Sequence, residues 1–212
     1  MDNEINPWLE IPLEEYEAHM SMASVAQAQY LARVIDGRVQ DIRPASVAII
    51  GCSGGNGIEQ LSPAFVQRVV AVDINPRFIE ATRQRYNNRF NQFELLCQDF
   101  LSPGCSFEGV DLVFGGLIFE YVDYMSGLSA VKTFIKPGGY LSAVLQLPSE
   151  TISAVSPSPY SSLSMLNGFL KLVPPEAFEI YAKTIGLSVI VSRRSELDSG
   201  KQFHELLFKK EP

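Results

Sequence analysis

Apolar positions along this chain fall into two alternating rhythms. Near 46–50, 68–73, 93–97, 110–114 and 139–147 they run almost unbroken, as in strands with both faces buried. Between these runs they recur at helical spacing. Residues 1–43 read as helical: an acidic stretch from Leu13 to Met20, then a helix capped by Ser24 with Ala28, Leu31, Ile35 and Val39 on one face, ended by Pro44. Asn75-Pro76 is an N-cap and first-turn pair for a helix through about 89. Another helix is expected over about 126–136, before the tight turn Pro137-Gly138-Gly139. Residues 148–173 are rich in Ser and Pro, with Leu163, Met165, Leu166, Phe169 and Leu170 among them, and are expected to form a lid. Pro174-Pro175 opens a helix to Gly186. Strands near 187–194 and 202–209 follow, joined by Leu197-Asp198-Ser199-Gly200 into a hairpin that closes the sheet with an antiparallel edge.

The pattern predicts an α/β fold: a doubly wound, mostly parallel seven-stranded sheet with an antiparallel C-terminal strand and helices on both faces. The expected organisation is a single domain over 1–212. It comprises a helical cap (1–43), a cofactor-binding core (44–147), a lid or insert (148–173), and a C-terminal helix and hairpin (174–212).

The chemistry sits at strand ends. Val47-Ala48-Ile49-Ile50 leads into Gly51-Cys52-Ser53-Gly54-Gly55-Asn56-Gly57, a loop whose glycines allow close approach of a ligand. The next strand ends on Asp73. A glycine loop followed by a carboxylate one strand later is how such sheets hold a ribose-containing cofactor. A dinucleotide fingerprint, G-x-G-x-x-G, fails because Ser53 stands two after Gly51, and none of the eight tyrosines has a Lys four residues on, as a short-chain reductase would need. The motif G-x-S-x-G does match 51–55, which would make Ser53 the nucleophile of a serine hydrolase, with His204 downstream. Against that reading, only one strand precedes the loop, His204 lies inside a strand, and no glycine-rich oxyanion segment lies upstream.

Five pieces in order carry a different resemblance: Gly51–Gly57; Val72-Asp73-Ile74-Asn75-Pro76; Gln98-Asp99-Phe100; Asp111-Leu112-Val113-Phe114; and Lys136-Pro137-Gly138-Gly139. Over about 46–147 the chain resembles the class I S-adenosylmethionine-dependent methyltransferases, with their Rossmann-like domain. The resemblance implies S-adenosyl-L-methionine as cofactor, S-adenosyl-L-homocysteine as product, and no metal. It implies cofactor contacts from Gly51, Cys52, Ser53, Gly55, Asn56, Asp73, Ile74, Asp99, Phe100, Gly115 and Leu117. Asp73 would accept from the ribose hydroxyls and Asp99 from the adenine amino group, with Phe100 at the ring edge and Ile74 on its face. The loop amides would meet the carboxylate of the methionine tail. Glu120 and Tyr121 would border the methyl acceptor as candidate bases. The N-terminal helix looks like the family's cap, bringing Tyr16, Met20 and His19 to the acceptor side, where His19 is a further candidate base or orients the cofactor tail. Leu166 would belong to the lid. Two departures stand out: Ile49 replaces the usual acid, and Ser53 the second glycine. They keep open a second reading, an S-adenosylmethionine-binding protein that acts through partners without turnover.

Composition narrows the partners. At 212 residues, 46% hydrophobic and 19% charged, the chain is globular. A net charge of −7 and the absence of an Asn-Pro-Pro-Tyr type segment after the fourth strand argue against nucleic acid and for a small-molecule acceptor at oxygen, nitrogen or carbon. No apolar run is long enough to span a bilayer. The acidic Met1-Asp2-Asn3-Glu4 start is unlike a signal peptide, and Cys52, Cys97 and Cys105 read as reduced thiols, so the expected compartment is cytoplasmic. A monomer or homodimer is expected.

Overall fold

The computed structural model describes residues 6–149 and 153–211. The acidic start considered above, part of the expected lid (150–152) and Pro212 lie outside the described residues. Seven strands form one sheet: β1 (Ser46–Ile50), β2 (Arg68–Asp73), β3 (Gln92–Cys97), β4 (Val110–Gly116), β5 (Ile135–Gln146), β6 (Leu187–Glu196) and β7 (Gln202–Lys210). Their spatial order is β3-β2-β1-β4-β5-β7-β6. The first five pair in parallel, β7 runs antiparallel to both neighbours, and β6 is outermost. The expected hairpin is therefore present, with its reversed strand inside the sheet edge.

Side-chain alternation splits the interior into two cores. Ala48, Ile50, Val70, Val72, Val113, Leu141 and Leu206 face one way, towards α4 (Tyr124–Thr133) and α5 (Pro175–Thr184) through Leu128, Val131 and Phe178. Val47, Ile49, Val69, Ala71, Leu112, Phe114 and Val144 face the other way, towards α2 (Gln27–Ile42) through Leu31, Ile35 and Val39, and α3 (Pro76–Tyr86) through Ile79. Both faces being covered is why the strand runs are nearly all apolar. A short α1 (Leu13–Ser21) precedes α2.

Several boundaries differ from expectation. Ser24 does not cap α2; the N-cap is Ala26, in a left-handed conformation with no side-chain bond. Asn75 does cap α3, accepting from the Arg77 amide at 2.9 Å, but the helix stops at Tyr86. The helix expected over 126–136 runs Tyr124–Thr133, because Asp123 caps it by accepting from the Ser126 amide at 2.9 Å. The Pro137-Gly138-Gly139 turn lies within β5, where the pairing with β4 slips between Val110 and Leu112. Asp111 of the fourth motif piece is structural. Its carboxylate accepts from the Ser46 amide at 2.8 Å and from Lys136 Nζ at 2.9 Å, which clamps the starts of β1, β4 and β5.

Candidate functional site

Because β1 to β4 are parallel, their carboxyl ends lie along one edge. The chain leaves β1 towards β2 on one side and β4 towards β5 on the other, so a crevice opens between them. A cleft of about 250 Å³ occupies that crevice. Its walls include Gly51 and Ser53 after β1, Asp73 and Ile74 after β2, Asp99 and Phe100 after β3, and Gly116 and Leu117 after β4. Asn6, Trp8 and Tyr16 close it from the N-terminal segment, and Tyr121 and Val122 from beyond β4.

The loop is held from below by Asp73. One carboxylate oxygen accepts from the Ser53 amide at 2.8 Å and the other from the Asn75 amide at 2.9 Å. Burial raises the Asp73 carboxyl above its usual range, and these backbone donors counter that. Ser53 takes a left-handed conformation (φ 52°), as does Leu117 (φ 58°), so two of the uncommon left-handed non-glycine residues stand at the cleft walls. The glycine replaced by Ser53 is thus matched in conformation. The Ser53 Oγ is buried without a partner. Asp99 spends one oxygen on the Leu101 amide at 2.9 Å, which leaves the other for a ligand.

Not every residue expected at the cofactor lines the cleft. Cys52 is fully buried behind the loop, its Sγ 3.6 Å from the Ser53 carbonyl. Gly55 packs on Tyr86, which a Cβ there would meet at 2.4 Å. A Cβ at Gly115 would point towards Phe119 and Ile118 and one at Gly116 towards Leu31 and Phe114, yet of the two only Gly116 borders the cleft. Asn56 lines an adjoining crevice with Gly51, Gly116 and Tyr16. Ile49 is buried in the α2 core and borders this adjoining crevice, though not the main cleft.

Behind the cleft lies a smaller chamber of about 50 Å³. Trp8, Tyr16, Leu117 and Tyr121 line both spaces and form the passage between them. Trp8 meets Tyr121 edge-on at 4.9 Å and Tyr16 at 5.5 Å. The chamber collects His19 and Met20 from α1, Glu120, Gln146 at the end of β5, and Lys201 from the hairpin. Leu163, Leu166 and Leu170 roof it from the expected lid. Tyr16, His19 and Met20 do share a helix face here. His19 lines the inner chamber and not the cofactor cleft, so it does not stand where it could orient the cofactor tail.

Electrostatics in the chamber follow from burial. Glu120 is 1% exposed; one oxygen accepts from the Gln146 amide at 2.6 Å and the other is unpartnered. Desolvation pushes its carboxyl up to about 7. The phenol of Tyr121 is driven well above the tyrosine range by burial, with the nearby Glu120 adding to the effect. Tyr121 therefore keeps its proton and does not fit the role of base expected for it. Burial lowers His19, with Lys201 reinforcing, so its imidazole is neutral, and its Nδ1 has no partner.

The residues that sequence reasoning missed include Phe78 and Val122 in the cleft, and Gln27, Gln146 and Lys201 in the chamber. Gln98, part of the third motif piece, and Gly116, expected with Gly115 to let the chain pass close to the methionine part, both line the cleft. Nothing local marks Lys201. The hydrolase reading fails on geometry. His204 bonds Ser192 Oγ at 2.8 Å and neighbours Glu179, and it does not approach Ser53. Among the described residues, no group of His, Cys, Asp and Glu could hold a metal ion, and no helix is long and apolar enough to cross a membrane.

Comparison with known proteins agrees with this geometry. Residues 49–143 match the family model described as "Methyltransferase domain". No curated protein matches the chain. Among solved structures it is similar to NodS, an N-methyltransferase from Bradyrhizobium japonicum in complex with S-adenosyl-L-homocysteine (18% identity, TM-score 0.62, 99% of this chain and 93% of that one). It is also similar to a candidate sarcosine dimethylglycine methyltransferase from Galdieria sulphuraria (14%, 0.65, 88% and 86%). A third similar structure is the [4+2]-cyclase SpnF (10%, 0.65, 85% and 81%). At such identities the likeness is one of fold. The match over 49–143, the strand order and the crevice between β1 and β4 together show that the chain is similar to the methyltransferase domain over that region and shares the α/β fold of these structures.

Proposed function

We propose that this chain is an S-adenosylmethionine-dependent methyltransferase acting on oxygen, nitrogen or carbon of a small molecule. One observation carries the reading: a cleft of about 250 Å³ at the switch point adjoins, across Trp8, Tyr16, Leu117 and Tyr121, a second, smaller chamber that holds an unpaired carboxylate oxygen. The residues present fit the cofactor. Asp73 supplies a buried acceptor for the ribose, Asp99 a free oxygen for adenine, and the loop a buried, unpartnered Ser53 hydroxyl. Tyr16 and Asn56 flank the side of the loop where the family's acid is missing, and they are the groups to receive the amino end of the methionine tail.

Bound there, S-adenosylmethionine supplies a methyl group on a sulfonium that is already a good leaving group. The chain's own work is then positioning and exclusion of water. The aromatic passage holds the acceptor in line, and the roof keeps bulk water out. Glu120, with a pKa near neutrality, takes a proton from the acceptor where one must be lost. Tyr121 keeps its proton and donates a hydrogen bond. The three free thiols, two of them buried, suit a reducing compartment.

Calorimetric titration of S-adenosylmethionine and S-adenosylhomocysteine into the wild type and Asp73→Ala tests the cofactor half. The variant should lose about 1–3 kcal/mol of binding, the worth of charged hydrogen bonds. A wild type that binds neither ligand refutes the proposal. A second reading, binding without turnover, is favoured by Ile49 in place of the acid and by a fold shared with a [4+2]-cyclase. Methyl transfer to any acceptor removes it.

A further inference from the structure

Lys201 is the unexplained charge of the inner chamber. It precedes β7 at the end of the hairpin loop and is 3% exposed. Its ammonium donates to the Ala154 carbonyl at 2.8 Å, and among the described residues it forms no ion pair. An ammonium has three donors, so a single backbone acceptor leaves it under-used. Burying a cation this way is costly unless an opposite charge joins it. The same Ala154 carbonyl accepts from Gln146 Nε2 at 2.8 Å, which fixes the roof over the chamber. The other titratable groups facing this space are His19, Glu120, Tyr16 and Tyr121.

We propose that the inner chamber takes a small acceptor bearing one carboxylate, which pairs with Lys201 while its apolar body lies against Met20, Leu163, Leu166 and Leu170 and its methyl-accepting atom faces Glu120 and the passage to the cofactor cleft. This rests on the methyltransferase reading and names its substrate class. With His19 neutral and Glu120 able to carry a negative charge of its own, a single buried ammonium tolerates at most one further negative charge, which selects a monocarboxylate over a phosphate dianion. The apolar roof disfavours a ligand charged along its length. Desolvation holds the Lys201 ammonium down to about 8, still mostly protonated at neutral pH, and an arriving carboxylate reverses that. The His19 Nδ1, buried and unpartnered, can accept from or donate to the same ligand according to its tautomer. Lys201 is thus a specificity residue: it sorts acceptors by charge and takes no part in the transfer itself.

The test uses the full chain saturated with S-adenosylhomocysteine, so that no added anion can occupy the cofactor's own carboxylate site. Acetate, glycolate and propionate, sized to a chamber of about 50 Å³, are titrated in parallel with their amides and followed by saturation-transfer NMR and calorimetry. Wild type should bind at least one carboxylate ten or more times more tightly than its amide. Lys201→Met should abolish that preference with S-adenosylhomocysteine affinity unchanged, and Lys201→Arg should keep most of it. Unchanged cofactor affinity also certifies that the variant is folded. Carboxylates that bind no better than their amides, or a preference that survives in Lys201→Met, overturn this inference while leaving the cofactor reading intact. Failure of S-adenosylhomocysteine to bind wild type refutes instead the reading beneath it.

Discussion

Glu120→Gln separates what Glu120 does for the reaction from what its burial costs the fold. The folded chain holds this proton up to about pH 7, whereas an ordinary Glu releases it near 4.5. Between those values the native state binds more protons than the unfolded one, so stability falls as pH rises. The contribution is fully present below pH 4.5 and gone above pH 7. At about 1.4 kcal/mol per pKa unit, ionised Glu120 costs the fold about 3 kcal/mol. The cause is visible: both oxygens are enclosed, and a single amide, that of Gln146, offsets the lost water. Glutamine keeps an oxygen for that amide and has no proton to lose. Urea denaturation at pH 5 and pH 8 should therefore show the variant gaining on wild type by about 2–3 kcal/mol between the two pH values. Any fixed penalty from its new NH₂ group cancels in that difference. With an acceptor that must lose a proton, the same variant should lose about 10²–10⁴-fold in kcat, with S-adenosylhomocysteine affinity within about twofold. Parallel stability curves for the two proteins from pH 5 to 8 would refute the argument, because they would mean that Glu120 is neither desolvated nor poised to accept a proton.

Three further outcomes follow from the geometry. Gly55→Ala places a Cβ at φ +97° and 2.4 Å from the Tyr86 ring, and thermal melting should reveal a loss of about 1–3 kcal/mol; an unchanged Tm counts against the loop geometry. Glu205, 3% exposed, accepts from Tyr30, Arg38, Arg193 and Ser195. Glu205→Ala strands buried Arg38 and should cost about 3–5 kcal/mol in urea, part of which Arg38→Met restores; a loss under about 1 kcal/mol would mean the network is not load-carrying. The Glu205 carboxyl lies below its ordinary range because its donors outweigh burial, so its stabilisation is present at neutral pH and is lost as pH falls through the folded value. Trp8→Ala removes two edge-to-face contacts at the passage, each worth about 0.5–1.5 kcal/mol, and calorimetry should show weaker S-adenosylhomocysteine binding; unaltered affinity would detach the N-terminal segment from the site.

The hydrophobic pattern by itself determined the seven strands, most helix spans and the sheet edge on which the cleft opens. The reason is local: both-face burial writes continuous apolar runs, and parallel strands bring every strand-to-helix loop to one side, so the expectations at Gly51, Ser53, Asp73, Asp99 and Leu117 needed only their place after a strand. What needed three dimensions is orientation and long-range meeting. That Gly116 and not Gly115 borders the cleft depends on where β4 ends against the neighbouring loops, which the three-dimensional structure decides. Cys52 and Gly55 belong to the loop, yet its left-handed turns point them into the core. The inner chamber joins α1, the turn after β4, the end of β5, the roof and the hairpin, so the pairing of β5 with β7 and the seating of α1 decide it. Lys201 and Glu120 carry no sequence signal of burial. Only the fold removes water from both, and that removal shifts one towards a base at neutral pH and leaves the other a cation awaiting its counter-charge.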